Sequence, residues 1–339
     1  MDRNNPYFKQ AELLVRVLPN IARETCFGLK GGTAINLFVR NLPRLSVDID
    51  LVYLPIEDRK TSLTGIDCAL NRIADSLEFS SPAYEVVRQI DGPSKRLLVR
   101  SNEVQIKIEL SPVLRGSIFP PVMMTVSELV EESFGFAEIQ VLSLPDLYGG
   151  KICAALDRQH PRDLFDVKLF LDSEGIDRRI MSAFLVYLIS HNRPIRELIS
   201  PKLKELGDIY STHFQGMSQG PVSLEELASA RECLIRTIHE KITRRDKDFL
   251  LSFKSGEPDW SLIDLEGIDL LPAVQWKLIN IKKMDREAHR QALSRLAVTL
   301  ASMYKLIGAQ GAQPHEKWCP GAESNHRHAD FQSECLSYN

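Results

Sequence analysis

At 339 residues the chain has room for two domains and a sizeable core, and 44% hydrophobic with 26% charged residues excludes a disordered or fibrous class. A formal net charge of −3 excludes a globally basic nucleic-acid binder, so any such surface has to be local. No run of about 18 apolar residues occurs, Met1 to Gln10 lacks an apolar signal core, and the six cysteines form no C-x-x-C pair, which together point to a cytoplasmic chain with reduced thiols and no membrane span.

Asn5 to Glu24 has Leu13, Leu14, Val17, Leu18 and Ile21 at helical spacing. A short apolar run, Cys26 to Leu29, then meets Gly31-Gly32-Thr33 and a helix-like run, Ala34 to Arg40. Strand, glycine turn and helix start follow one another, and a helix start offers free N–H groups and partial positive charge to a phosphate. Val47 to Tyr53 reads as a strand carrying Asp48 and Asp50. Alternate strand residues share a face, so the two carboxylates point one way, about 7 Å apart at Cα. Ile49 between them faces the opposite side, toward a core. Like charges on one strand face repel, so something cationic belongs there. A carboxylate pair beside a phosphate-binding turn is the layout that holds Mg²⁺ on a nucleoside triphosphate.

Pro55 ends that pattern, and Asp58 to Leu77 returns to helical spacing. Three strand-like segments follow: Tyr84 to Ile90, Arg96 to Arg100 and Val104 to Leu110, with a turn at Asp91-Gly92-Pro93. The last alternates apolar residues against Gln105, Lys107 and Glu109, and Glu109 has a ready ion-pair partner in Lys107 or a cross-strand cation. Ser111 to Pro121 reads as loop, Val122 to Phe134 as mixed, Ile139 to Leu142 as strand. Leu144-Pro145-Asp146 opens a helix, and the domain boundary is placed here because strand pattern gives way to helical spacing.

Leu147 to Val167 reads as helix, a break at Pro161, then helix, with Lys151, Arg158, Arg162, Asp163 and Asp166 beside apolar residues. By spacing alone these are two amphipathic helices with solvated charges and an Arg–Asp pair. Ile176 to Tyr304 is helical in pattern over 180–190, 194–213, 223–243, 246–253, 271–284 and 285–304, with a capping box at Ser223 and Glu226. The aromatics at 249, 253, 260 and 276 read as core rather than base-stacking platforms. From Trp276 to Arg295 six Lys/Arg stand against two acids, a local basic stretch that could track a phosphate backbone. The tail, Gly308 to Asn339, lacks hydrophobic periodicity and reads as disordered, ahead of a zinc site from Cys319, His326, His328 and Cys335. Its codons for Glu323-Ser324-Asn325 can be the reverse complement of a tRNA T-arm.

Gly31-Gly32-Thr33-Ala34, then Arg44-x-Ser46-x-Asp48-Ile49-Asp50-Leu51, resembles the signature of the AbiEii/AbiGii toxin family of nucleotidyltransferases, which includes MenT-type toxins and belongs to the DNA polymerase β-like superfamily. The likeness covers roughly residues 25 to 300. Lys151 and the later Arg162-Asp163-x-x-Asp166 resemble the family's third and fourth motifs. The resemblance implies an α/β (α+β) fold: an N-terminal polymerase β-like nucleotidyltransferase domain (1–143), a mostly α-helical C-terminal domain completing the active-site cleft (144–305), and a tail (306–339). It implies two Mg²⁺ ions on Asp48 and Asp50, with Glu109 as a third carboxylate. It places the NTP triphosphate on Gly31, Gly32, Thr33, Arg44, Ser46, Lys151 and Arg162. Either Asp163 or Asp166 is the catalytic aspartate of the fourth motif; Asp163 could instead orient Arg162. The implied activity is that of a toxin of a bacterial toxin–antitoxin (abortive infection) pair that transfers NMP to RNA, at the tRNA 3′ end, with a winged-helix antitoxin encoded nearby. The other classes are a small-molecule nucleotidyltransferase of the aminoglycoside-modifying kind and a binder that has lost catalysis.

Overall fold

The computed structural model describes residues 5–90 and 95–309. The turn at Asp91 to Pro93 and the tail with Cys319, His326, His328 and Cys335 lie outside the described residues.

The first half builds one mixed sheet. Its strands are β1 (Phe27–Lys30), β2 (Asp48–Tyr53), β3 (Tyr84–Gln89), β4 (Lys95–Ser101), β5 (Val104–Arg115), β6 (Val122–Thr125) and β7 (Glu138–Val141), in the order β3-β4-β5-β2-β1-β7-β6. β1 runs antiparallel to β2, and β2 runs parallel to β5. Helices α1 (Pro6–Ala22) and α3 (Arg59–Ser80) pack on the sheet, where Ile49 and Leu51 meet no solvent. Each such fully buried side chain is worth roughly 1.5–3 kcal/mol, so the apolar phase of β2 fixes which way its aspartates point. The glycine turn becomes α2 (Gly31–Ala34), continued by a wider π-helical turn over Ile35–Val39, and α4 (Glu128–Phe134) lies between β6 and β7.

The second half is helical, as the spacing predicts: α5 (Leu144–Arg158), α6 (Pro161–Ser173), α7 (Arg178–Ser190), α8 (Ile195–Ile199), α9 (Gly207–His213), α10 (Leu224–Lys241), α11 (Arg244–Ser255), α12 (Pro272–Lys282) and α13 (Arg286–Ala309). The capping box at Ser223 and Glu226 is present.

Two segments depart from the pattern. The single helical stretch expected over 194–213 is two short helices, because Pro201 pushes Ser200 out of the helical region, to φ −136° and ψ 70°. β5 runs on to Arg115, past Pro112, with a register shift between Leu51 and Tyr53 that absorbs the irregularity.

A second capping box holds α11. The Asp246 carboxylate accepts from Thr243 N at 2.8 Å and Thr243 Oγ1 at 2.7 Å, and takes a bidentate pair from Arg178 at 2.7 and 2.8 Å. Asp246 is fully buried, so Asp246→Ala strips a helix end and leaves Arg178 unpaired at once. The expected loss is about 2 kcal/mol, read as a lower denaturation midpoint in urea.

Candidate active site

Three segments converge on the polar face of β2. Lys30 lies opposite Asp50 in the β1–β2 ladder, so the chain leaves β1 and turns over that carboxylate. Gly31 takes φ +75°, and a Cβ there would run into Asp50 Oδ2. A Cβ on Gly32 would come within 2.7 Å of Arg44 Nη2. Only glycine lets the turn lie this close, and the positive φ adds a second reason at Gly31. The buried Thr33 hydroxyl bonds Ser46 Oγ at 2.9 Å and the carbonyl of Asp48. Thr33 and Ser46 therefore tie the glycine turn to the approach of β2.

On the other side, β5 sets Lys107 opposite Asp48 and Glu109 opposite Asp50. The cation that the strand pattern requires is Lys107, whose Nζ meets Glu109 Oε2 at 2.6 Å. Arg162 Nη1 adds a second cation 3.8 Å from Asp48 Oδ2. Asp48 is held above the ordinary carboxylate range by burial and by Asp50 and Glu109, although Lys107 and Arg162 pull it down. Among the described residues no three His, Cys, Asp or Glu side chains form a ready metal-binding group. Asp48 and Asp50 are thus the carboxylates that the turn and the cleft share, while Glu109 lies next to them and is drawn to Lys107.

Behind the turn sits a buried ionic network. Arg44 donates to Asp166 through Nε at 2.8 Å and Nη2 at 2.7 Å. Lys151 Nζ lies 2.8 Å from Asp166 Oδ2 and 2.9 Å from Asp163 Oδ1. Arg158, exposed at the rim, reaches Asp163 Oδ2 at 2.9 Å. Asn36 Nδ2 bonds both Gly32 O at 2.8 Å and Asp166 Oδ1 at 3.0 Å, coupling the network to the glycine turn. The surface-charge reading of α5 and α6 fails for Lys151, Asp163 and Asp166, which are buried together with Arg44, and holds for Arg158 at the rim. Burial raises both carboxyls, but Lys151 and Arg158 at Asp163, and Arg44 and Lys151 at Asp166, outweigh it and hold both below their usual range.

Sequence reasoning missed three supports. Asn36 carries only a weak signal, its bond to the carbonyl four residues back. Lys107 appeared only as a partner for Glu109. Asp146 is buried and accepts from Ile118 N and Phe119 N at 3.0 Å and from Tyr187 Oη at 3.1 Å, pinning the loop after β5 to α5 and α7. Ser143-x-x-Asp146, a capping pattern, was the available sign. His160 is the cap of α6: its Nδ1 accepts from Arg162 N at 3.2 Å, and burial with Arg162 beside it holds it at about 4.

All of this opens on one cleft of about 1070 Å³, lined by Gly31, Gly32, Asp48, Asp50, Lys151 and Arg162 together with residues of α12 and α13. That volume is just above the range of about 300–1,000 Å³ usual for a small ligand.

Asp166→Ala leaves Arg44 and Lys151 buried with one carboxylate between them, and is expected to cost about 3–5 kcal/mol in urea unfolding. The sign of the pH dependence follows from the depressed carboxyls. Their stabilisation is present above about pH 4, the ordinary carboxyl range, and is lost as the pH falls below it. Melting temperature in the wild type should drop on acidification from pH 5 to pH 3; in Asp163→Asn that drop should be shallower.

The sequence profile described as nucleotidyl transferase AbiEii toxin, type IV toxin–antitoxin system, matches residues 12–280. No curated protein matches the chain. Among solved structures, MenT4, the nucleotidyltransferase toxin Rv2826c from Mycobacterium tuberculosis H37Rv, is similar in fold, with TM-score 0.55 and 15% identity over 86% of this chain and 93% of that one. The profile runs from α1 into α12 and so takes in the glycine turn, both strands of the carboxylate face and the buried network. The chain belongs to the AbiEii family of nucleotidyltransferase toxins of toxin–antitoxin systems.

Proposed function

We propose that the protein transfers NMP from an NTP to an RNA acceptor, the 3′ end of tRNA, in a Mg²⁺-dependent reaction. The observation that carries this reading is the pairing of Asp48 and Asp50 on one strand face, directly under a glycine turn that only glycine can make. The donor set fits a hard divalent cation: oxygen ligands only, with Asp48 raised first by burial and then by the neighbouring Asp50 and Glu109 charges, a repulsion that a cation would relieve. Bound there, Mg²⁺ would supply Lewis-acid stabilisation of the reacting phosphate.

In this reading each residue has a task. Asp48 and Asp50 would hold the metal, and Glu109 would join them if it let go of Lys107. Gly31 and Gly32 present backbone N–H groups to the triphosphate. Arg162, at the head of α6 and nearest Asp48, contacts phosphate directly. Lys151 uses two of its three donors on Asp163 and Asp166 and turns the third to a phosphate oxygen. Arg44, Ser46, Thr33, Asp163 and Asp166 position this shell; Asp163 and Asp166 act through Lys151 and Arg44 rather than on the substrate. The acceptor oxygen attacks the α-phosphorus. A new O–P bond forms, the bond to the bridging oxygen breaks, pyrophosphate leaves, and the hydroxyl proton passes to Glu109. Residues 1–143 carry the carboxylate face and 144–305 close the cleft over it, in a cytoplasmic protein whose antitoxin is a winged-helix regulator encoded nearby. Among the described residues no helix is long and apolar enough to cross a membrane.

The test is incubation with total tRNA and each labelled NTP in turn. Wild type should label tRNA and release pyrophosphate, whereas Asp48→Asn and Asp50→Asn should lose the activity by at least about a hundredfold, the scale for removing a preorganised electrostatic group. Mg²⁺ should raise the melting temperature of the wild type and not of either variant. Labelling of an aminoglycoside pool instead of RNA would replace the RNA acceptor with a small molecule.

A further inference from the structure

The cleft has a second wall that the reaction chemistry leaves unexplained. Trp276, Asn280 and Met284 line it at four-residue spacing along α12 and just past its end, and Ala292, Arg295 and Leu296 line it from α13. Lys254 at the end of α11 and Lys277 complete it. Between residues 254 and 296 the lining contains three cations and no acid. Trp276 is 50% exposed, although Ala273 and Val274 beside it are buried. The sequence reading of Trp276 as core therefore fails. About half of the indole is thereby open to the cleft, a flat apolar face with a polar N–H edge.

The wall is rigid. Lys277 Nζ donates to the carbonyls of His191, Asn192 and Arg193, capping the end of α7 and fixing α12 against it. Burial, with Lys254 close by, pushes Lys277 down to about 8. Lys277 and Lys254 thus stand close together, the nearby Asp157 is taken up by His191 and Arg193, and an arriving phosphate would offset the two lysines.

The sheet order decides which end of the reaction this wall serves. β2 lies between β1, which feeds the glycine turn, and β5. α12 packs on β5 and α7. The wall therefore belongs to the β5 side of β2 and the glycine turn to its β1 side. In-line transfer puts the leaving pyrophosphate and the attacking hydroxyl on opposite sides of the phosphorus. With the triphosphate on the glycine turn, the acceptor comes in along α12.

We propose that Trp276, with Lys254 and Arg295, forms the acceptor platform: a base of the single-stranded acceptor end stacks on the indole while its phosphates meet the two cations. This rests on the RNA-transfer reading above and names the surface that reading needs. Aromatic faces among cations bind single strands by sequence-tolerant stacking, at about 1–3 kcal/mol per base.

The experiment titrates the full chain into a fluorescein-labelled single-stranded oligoribonucleotide and follows anisotropy at several salt concentrations. Trp276→Ala is expected to weaken binding roughly tenfold, and Trp276→Phe, which keeps a stacking face, to restore most of it. Arg295→Gln should lower the slope of log affinity against log salt by about one phosphate contact. In parallel, ATP and CTP should raise the melting temperature of Trp276→Ala as much as that of wild type. Unchanged RNA binding in Trp276→Ala overturns the proposal. So does loss of the nucleotide-induced shift with RNA binding intact, which would put the indole on the NTP base. If the wild type transfers nucleotide to tRNA while Trp276→Ala binds the oligoribonucleotide normally, this inference alone falls. Absence of transfer to any RNA removes the reading beneath it.

Discussion

The structure depends on a buried balance of charge. Arg44 and Lys151 are neutralised by Asp163 and Asp166 within a few ångströms and almost out of contact with water. Taking ions out of water costs several kcal/mol each, and a buried network recovers that only when every member is satisfied. Such a network is poor evidence for extra stability. Its value here is geometric, because its members come from the approach to β2, from α5 and from α6. It sets the two halves of the chain in one register, and Asn36 passes that register to the glycine turn.

From this follows a division of labour around the cleft. The turn and β2 bring Gly31, Gly32, Asp48 and Asp50 together, and they are crowded enough that glycine is obligatory at Gly31. Lys107 and Arg162 offset part of the charge on the carboxylate face, and Asp48 still sits above its ordinary range through burial and its acidic neighbours. A cation bound to Asp48 and Asp50 would have to share that face with Lys107, and the ion pair Lys107–Glu109 is the contact that has to yield. The helical half does two separate things: α5 and α6 build the network behind the turn, and α12 and α13 present a cationic, aromatic wall across from it.

This arrangement also gives a mildly acidic chain a locally cationic wall in its cleft. Net charge describes the whole surface, while binding reads the local field of a cleft with low-dielectric walls. The cations from Lys254 to Arg295 line such a cleft without an intervening acid.

Local pattern determined the elements. The alternation through β2, the strand–glycine–helix order before it, the capping box at Ser223 and the helical spacing after Leu144 are short-range signals, and the structure has each of them. Asp48 and Asp50 share a face because a strand repeats every two residues, whatever surrounds it. The family motifs also named Arg44 and Lys151, as triphosphate contacts, and Asp163 or Asp166, as the catalytic aspartate. What they do could not be read locally. A helix face carrying Lys, Arg and Asp looks the same whether it meets water or a neighbouring helix, so their burial was decided only when residues more than a hundred positions apart packed together. Trp276 shows the converse: its helical spacing resembles that of a core residue, and only the placement of α12 against β5 and α7 leaves its ring in the cleft. Periodicity fixes which side chains share a face, and tertiary packing alone decides what that face meets.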